Sequence, residues 1–326
     1  MRRIVITGGG GFIGSHIAGY FEEMGEDVRA LTRKDADLRK PDDVLEACRD
    51  ASCVIHNAAM AADWGRYEDF YENNVTGTLN VLKACVRNGV GHVILTGSCS
   101  VYGEEDCSFI KDENSPLHSH YTYFLDKVFP CAMNYYRDTK RIAREQAIEF
   151  ARDNSLRLTI IDPVWVYGER EFHSVFYAYL KAARDRIPLS MGGKKNRFHV
   201  IYARDLARAY YLAYKTKTAG CFIIGNRETA CMDEVFALFC EESGYAKPRS
   251  APKALMYPIG FAAELLWTIF RAKKPPLMTR GRVNMFYDSA SYGVQKAKDM
   301  LGFESEYTLA QGIKKTVNWY KENGYL

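Results

Sequence analysis

Ile4-Val5-Ile6-Thr7-Gly8-Gly9-Gly10-Gly11-Phe12-Ile13-Gly14 decides how the rest of this sequence is read. Its β-branched run predicts a strand, its glycines a tight turn, and the amphipathic stretch from Phe12 to Met24 a helix. Without side chains, Gly8, Gly11 and Gly14 permit the turn and let backbone N–H groups reach an anion at the positive end of the helix. Strand, glycine turn and helix in this order predict a dinucleotide pyrophosphate site. A glycine turn that binds nothing is the plain alternative.

The same rhythm continues. Val28 to Leu31, Cys53 to Ile55, His92 to Leu95 and Leu158 to Ile161 read as strands, and Tyr67 to Asn88 and Tyr136 to Arg152 as crossover helices. The predicted fold class is α/β: a Rossmann-type doubly wound parallel sheet with a smaller C-terminal substrate lobe. Residues 1–168 and 199–226 are assigned to the NAD(P)-binding domain. Residues 169–198 and 227–326, with clustered aromatics and prolines, are assigned to the substrate lobe. Ligands of such sheets bind at the carboxyl edge, where strand order reverses.

Composition narrows the partners. With 44 basic and 40 acidic side chains, the net charge of +4 lacks the concentration expected of a nucleic-acid footprint, so a small-molecule substrate is expected. Nine scattered cysteines without a CxxC pair signal neither a disulfide framework nor a metal site. The first apolar run breaks into glycines before a signal-peptide core is complete, so a cytoplasmic location is expected.

The spacing Thr7-Gly8-x-x-Gly11-x-x-Gly14 resembles the extended short-chain dehydrogenase/reductase family. The resemblance extends along nearly the whole chain. Asp37-Leu38 is similar to the family's pair beside the adenine, His56-Asn57-Ala58-Ala59 to its turn after the third strand, and Asn73-Asn74-Val75-Thr76-Gly77-Thr78 to its NNVxGT helix start. The resemblance implies that Gly8, Gly11, Phe12, Ile13, Gly14, Asp37, Leu38, Asn57, Ala58, Ala59, Asn73, Thr96, Pro163 and Val164 border the cofactor. After the second strand stands Thr32, where NAD-specific proteins usually carry a carboxylate. Arg33 and Lys34 instead suit a 2′-phosphate, so NADP is expected and NAD is the alternative; a solvated basic loop would explain them equally simply.

Hydride transfer to a carbonyl leaves an alkoxide that needs a proton. A tyrosine can donate it if a nearby cation lowers its pKa, and a lysine four residues later on one helix supplies that charge. Tyr123 with Lys127 and Tyr136 with Lys140 both have this spacing. Pro130 interrupts the first pair's segment, whereas a strong helix-forming run follows Lys140, so Tyr136 and Lys140 are the candidate pair. Thr96-Gly97-Ser98-Cys99-Ser100-Val101-Tyr102-Gly103 is similar to the family's SSxxVYG segment, which puts Ser98 at the catalytic position, with Ser100 as the alternative. Its hydroxyl would hydrogen-bond the substrate oxygen.

The family includes nucleotide-sugar epimerases and dehydratases as well as dehydrogenases of apolar alcohols. In Ile161-Asp162-Pro163-Val164-Trp165-Val166-Tyr167-Gly168, Asp162 and Trp165 replace the Arg and Asn of the sugar-nucleotide RPxNVYG pattern. Phe198 occupies the place of a diphosphate-directed Arg, and the epimerase RxGD signature is reduced to Arg282-Val283-Asn284-Met285-Phe286. Trp165, Phe198 and Phe286 are therefore expected around an apolar substrate. The ending from Ala297 to Tyr320 is most similar to the 3β-hydroxysteroid dehydrogenase-like and dihydroflavonol reductase-like branch, which implies a secondary alcohol and ketone pair as substrate and product. A nucleotide-sugar epimerase or dehydratase, and a cofactor-sensing regulator without chemistry, are the rivals. The family also implies a homodimer.

Leu255 to Phe270 holds 16 residues with a single carboxylate and precedes Arg271, Lys273 and Lys274. It is too short and interrupted for a membrane span. A helix in the core of the second lobe is the expected reading, and weak peripheral contact with a bilayer the alternative.

Overall fold

The computed structural model describes residues 3–105, 109–172, 174–187, 189–190, 192–193 and 195–326, so Cys107 lies outside the described residues. β-branched and other apolar runs form β1 (Arg3–Thr7), β2 (Val28–Leu31), β3 (Ala51–His56), β4 (His92–Thr96) and β5 (Leu158–Pro163). A sixth strand, Gly220–Ile224, joins them in one parallel sheet in which β2 and β1 are followed by β3, β4, β5 and the sixth strand. The interior strands are buried on both faces, which is why they read as nearly continuous apolar runs.

Helices cover both faces. Phe12–Glu23 and Ala203–Thr216 pack together against one, sharing Ile17, Phe21, Leu206 and Tyr210 with the core. Pro41–Ala47, Gly77–Arg87 and Ala132–Asp153 cover the other through Val44, Val81, Leu82 and Ala147. The segment Tyr67 to Asn88 is not one regular helix. Tyr67–Tyr71 passes through a π-helical turn at Glu72–Thr76 before Gly77–Arg87 continues.

The chain leaves β1 for the edge strand β2 and returns to place β3 on the other side of β1. Strand order therefore reverses between β1 and β3, where the crevice for a ligand opens. Thr7 pairs with His56, His56 with Leu95, and Thr96 with Ile161, so the chemistry-bearing residues after these strands share one edge.

Over that edge lies an aromatic cluster built by helices Val175–Arg184, Met232–Ser243 and Leu309–Glu322, with Phe176, Phe198, Phe236, Phe239, Phe286 and Tyr320 at its centre. The last helix is fixed at its start by a reciprocal capping box between Thr308 and Gln311. Helix Lys253–Ile269 corrects the expectation of a core helix: only Met256, Gly260 and Glu264 are buried. Leu255, Ile259, Leu266, Trp267 and Ile269 are exposed. An all-round apolar sequence could not say which face would pack, and here a small cluster with Val283 covers one narrow side.

Candidate active site

At the switch point the backbone itself makes the cavity. Gly8 has φ +67°, and a Cβ there would lie 2.8 Å from the Ala58 Cα across the crevice. A Cβ on Gly14 would lie 2.1 Å from the Gly8 carbonyl oxygen, so the helix can start this close to the strand only with glycine there. Gly11 precedes the helix without a side-chain cap, so the amides of the first turn are left without a side-chain partner. A pyrophosphate fits this combination of close backbone approach and helix N-terminus. Ala58 and Ala59 line the opposite side with small side chains, and Asn57 is tied in through the Thr96 hydroxyl at 3.1 Å.

The adenosine end differs in detail from the expected picture. Arg33 and Lys34 are exposed at the end of β2. The Asp35 carboxylate folds back to accept from both the Thr32 amide and the Thr32 hydroxyl, each at 2.7 Å. A carboxylate thus stands beside the end of β2 after all, supplied by a turn and not by the strand itself. Asp37 is gripped by Arg39 at 2.9 Å, which holds its carboxyl well below the usual range. Leu38 is partly buried, and its carbonyl accepts from Asn80 at 2.9 Å. Pro163 and Val164 are buried at the end of β5, with the Val164 amide bound to the Ile224 carbonyl at 3.0 Å.

Ser98, Tyr136 and Lys140 come together. Helix Ala132–Asp153 carries both Tyr136 and Lys140, and the Tyr136 hydroxyl lies close enough to Ser98 for the serine to favour its ionised form. The Ser98 hydroxyl also lies 2.8 Å from that of Ser100 and caps the short turn beyond it. Lys140 is buried, and its ammonium donates to the Thr96 carbonyl at 2.6 Å. Burial lowers the Lys140 pKa to about 8, partly opposed by Asp162. Tyr136 is pushed up to about 12 by burial, partly opposed by the neighbouring Ser98 hydroxyl. The rival tyrosine, Tyr123, is buried before the helix begins and donates to Glu105 at 2.6 Å.

Several residues support this group in ways the sequence did not announce. The Asp162 carboxylate accepts from the Ser98 amide at 3.0 Å, from the Tyr102 hydroxyl at 3.1 Å and from Arg144, an ion pair closed off from solvent. Arg144 also donates to the Tyr102 hydroxyl at 2.7 Å. The unusual aspartate before Pro163 is therefore the anchor of the serine loop. Asn73 is partly buried and its amide turns back to the Asp69 carbonyl. Its neighbour Asn74 instead clamps the segment after β3, accepting from the Met60 amide at 2.7 Å and donating to Thr139 on the tyrosine helix at 3.1 Å. His56 bridges Thr7 and Thr78 at 2.7 and 3.0 Å.

Trp165 lies 5.6 Å from Phe198, and Phe236 links Phe198 to Phe286 at 6.4 and 5.9 Å between ring centres. Phe198 and Phe286 are buried within this stack, while Trp165 is its partly exposed end. Arg197 is exposed, and Arg282 is paired with Asp63 and the Pro276 and Leu277 carbonyls. The two arginines do not converge. Among the described residues no cluster of ligating side chains able to hold a metal ion is present.

Comparison with known proteins agrees with this architecture. Over 96% of its length the chain is 26% identical to 98% of the 2-alkyl-3-oxoalkanoate reductase of Stenotrophomonas maltophilia (strain K279a). Over 97% it is 25% identical to 96% of a decarboxylating sterol-4-alpha-carboxylate 3-dehydrogenase of Schizosaccharomyces pombe. The solved structure of MoeE5 in complex with UDP-glucuronic acid and NAD shares the fold, with TM-score 0.77 and 21% identity over 98% of this chain and 99% of that one. Residues 4–225, which contain the glycine cradle and the Ser98, Tyr136 and Lys140 cluster, match the NAD dependent epimerase/dehydratase family. The chain belongs to that family of extended short-chain dehydrogenases and is an NAD(P)-dependent oxidoreductase.

Proposed function

We propose that this protein interconverts a secondary alcohol and a ketone on an apolar, steroid-like or similarly extended substrate, using Ser98, Tyr136 and Lys140. The observation that carries the reading is the placing of Tyr136 beside Ser98 on the helix that also holds Lys140, buried and donating to the Thr96 carbonyl. A bound nicotinamide would supply the hydride-transfer chemistry. Ser98 would hold the substrate oxygen and Tyr136 would give it a proton. Lys140 would place a positive charge beneath the reacting groups. The apolar substrate class is supported by the Trp165 edge of the aromatic stack and by Arg282, which is already committed to Asp63.

Because burial lowers the Lys140 pKa to about 8, its charge is present below that pH and lost above it. The kcat/KM for reduction should hold level to about that pH and then fall by about tenfold per unit, as a single ionisation requires. A profile that stays level to about pH 10 would remove Lys140 from the mechanism.

We further propose NADP as the preferred cofactor, on the strength of exposed Arg33 and Lys34 at the end of β2. The Asp35 carboxylate favours the second reading, NAD, because it stands where a ribose hydroxyl can donate. Arg33→Ala should weaken NADP binding by at least roughly tenfold, the worth of one charge-assisted contact, and leave NAD unchanged. If Asp35→Ala weakens NAD and Arg33→Ala changes neither, NAD is the cofactor.

A nucleotide-sugar epimerase remains the alternative that MoeE5's ligands raise, and turnover of a UDP-sugar without net oxidation would establish it. We also propose a cytoplasmic homodimer joined through the outward sides of Gly77–Arg87 and Ala132–Asp153, where Val86 and Ile148 are exposed.

A further inference from the structure

Helix Lys253–Ile269 has its polarity inverted. Leu255, Ile259, Ala262, Leu266 and Ile269 recur at alternating spacings of four and three, form one stripe, and are all exposed. Trp267 and Phe270 widen it, the latter 77% exposed. The side turned inward carries Glu264, whose carboxylate receives the Arg280 guanidinium at 2.9 and 3.0 Å. This ion pair is buried under an apolar exterior.

A second segment extends the stripe. In the turn before helix Ala132–Asp153, Phe124, Leu125 and Val128 are 59%, 49% and 85% exposed. The Phe124 ring packs 5.4 Å from Phe261, and its amide donates to the Tyr257 hydroxyl at 3.3 Å. The same Arg280 donates to the Phe124 and Phe129 carbonyls, so one buried cation fixes turn and helix as a single surface. Around it stand exposed Lys127, Arg271, Lys273 and Lys274. The acids of these two segments, Asp126 and Glu264, are both buried.

We propose that this face docks on a lipid bilayer bearing anionic headgroups. The stripe would sink into the boundary of the acyl chains while the four cations meet phosphates. Charge decides between occupants: a second copy packed face to face would bring two sets of exposed cations together, whereas an anionic membrane neutralises them. The helix has 17 residues and contains Pro258, and among the described residues no helix is long and apolar enough to cross a membrane. It would therefore lie along the surface.

Docking would also orient the active site. The patch's turn leads directly into the helix bearing Tyr136, and at its other end the Ala272 carbonyl accepts from Trp64, in the segment after β3, at 2.9 Å. The rim of the site would face the bilayer, where an apolar substrate resides. That last step rests on the proposed reductase reading, whereas the docking does not.

Flotation of the full chain with vesicles tests the docking. The protein should float with mixed phosphatidylcholine and phosphatidylglycerol vesicles and more weakly with phosphatidylcholine alone. Leu266→Glu with Phe270→Glu should abolish both without changing the melting temperature or cofactor binding, because both side chains are exposed. Lys273→Gln with Lys274→Gln should weaken binding to the anionic vesicles by roughly 30-fold and leave the neutral ones unchanged. The proposal is overturned if the parent floats with neither vesicle or if the glutamate variant floats as well as the parent. It is equally overturned if that variant only converts a dimer to a monomer, which would assign the face to a second copy.

Discussion

Tyr136→Phe is expected to lower turnover by about 10²–10⁴-fold, the usual worth of a positioned general acid, while cofactor affinity stays within about twofold of the parent. The ring remains, so packing in helix Ala132–Asp153 is kept; only the hydroxyl beside Ser98 is removed. Single-turnover rates and cofactor titration by fluorescence would separate the two effects. Turnover that survives the change would reject Tyr136 as the proton donor, even if the substrate class were correct. Loss of cofactor binding together with turnover would instead show a structural role.

The second large effect concerns Asp162. Its carboxylate serves Arg144, Tyr102 and the Ser98 amide in a site closed to water. Asp162→Asn retains the size but keeps only one acceptor oxygen, and it leaves the Arg144 guanidinium buried without a counter-charge. Breaking such a pair from one side costs about 3–5 kcal/mol. Removing the stranded charge as well, with Arg144→Met, should recover most of that loss. Urea unfolding of the parent, both single variants and the double variant gives the coupling directly. A double variant no more stable than Asp162→Asn would show that the charge pair is not what the aspartate contributes. Gly97 is held to glycine by the same carboxylate, because a Cβ there would meet the Asp162 oxygen at 1.8 Å.

Features of this chain were legible in its sequence to the degree that each is encoded locally. The glycine turn and the Tyr136/Lys140 spacing are complete within one turn or one helix, so their physical logic is visible without a fold. Strands β1 to β5 alternate with helices and announce themselves; the strand Gly220–Ile224, a short apolar run after a glycine, carries no period that separates it from a helix. The Arg144–Asp162 pair joins a helix to a strand 18 residues on, and nothing local links the two. Asp35 reaches Thr32 only because the chain turns after β2. Asn73 and Asn74 are adjacent and chemically identical, and backbone geometry alone decides which one clamps the site. In helix Lys253–Ile269 the apolar residues surround the axis, leaving the sequence without a preferred inner side.

The π-helical turn at Glu72–Thr76 has a consequence for how this chain can change its length. Such a turn holds one residue more than an α-helical turn in the same span. Deleting one residue there would restore an α-helical turn over the same span and leave Tyr67–Tyr71 and Gly77–Arg87 facing nearly as they do now. The change would be local to the bulge, which holds Asn74 against Met60 and Thr139. A chain one residue shorter here is expected to keep the packing of both helices and to lose the fastening of the segment after β3 to the tyrosine helix.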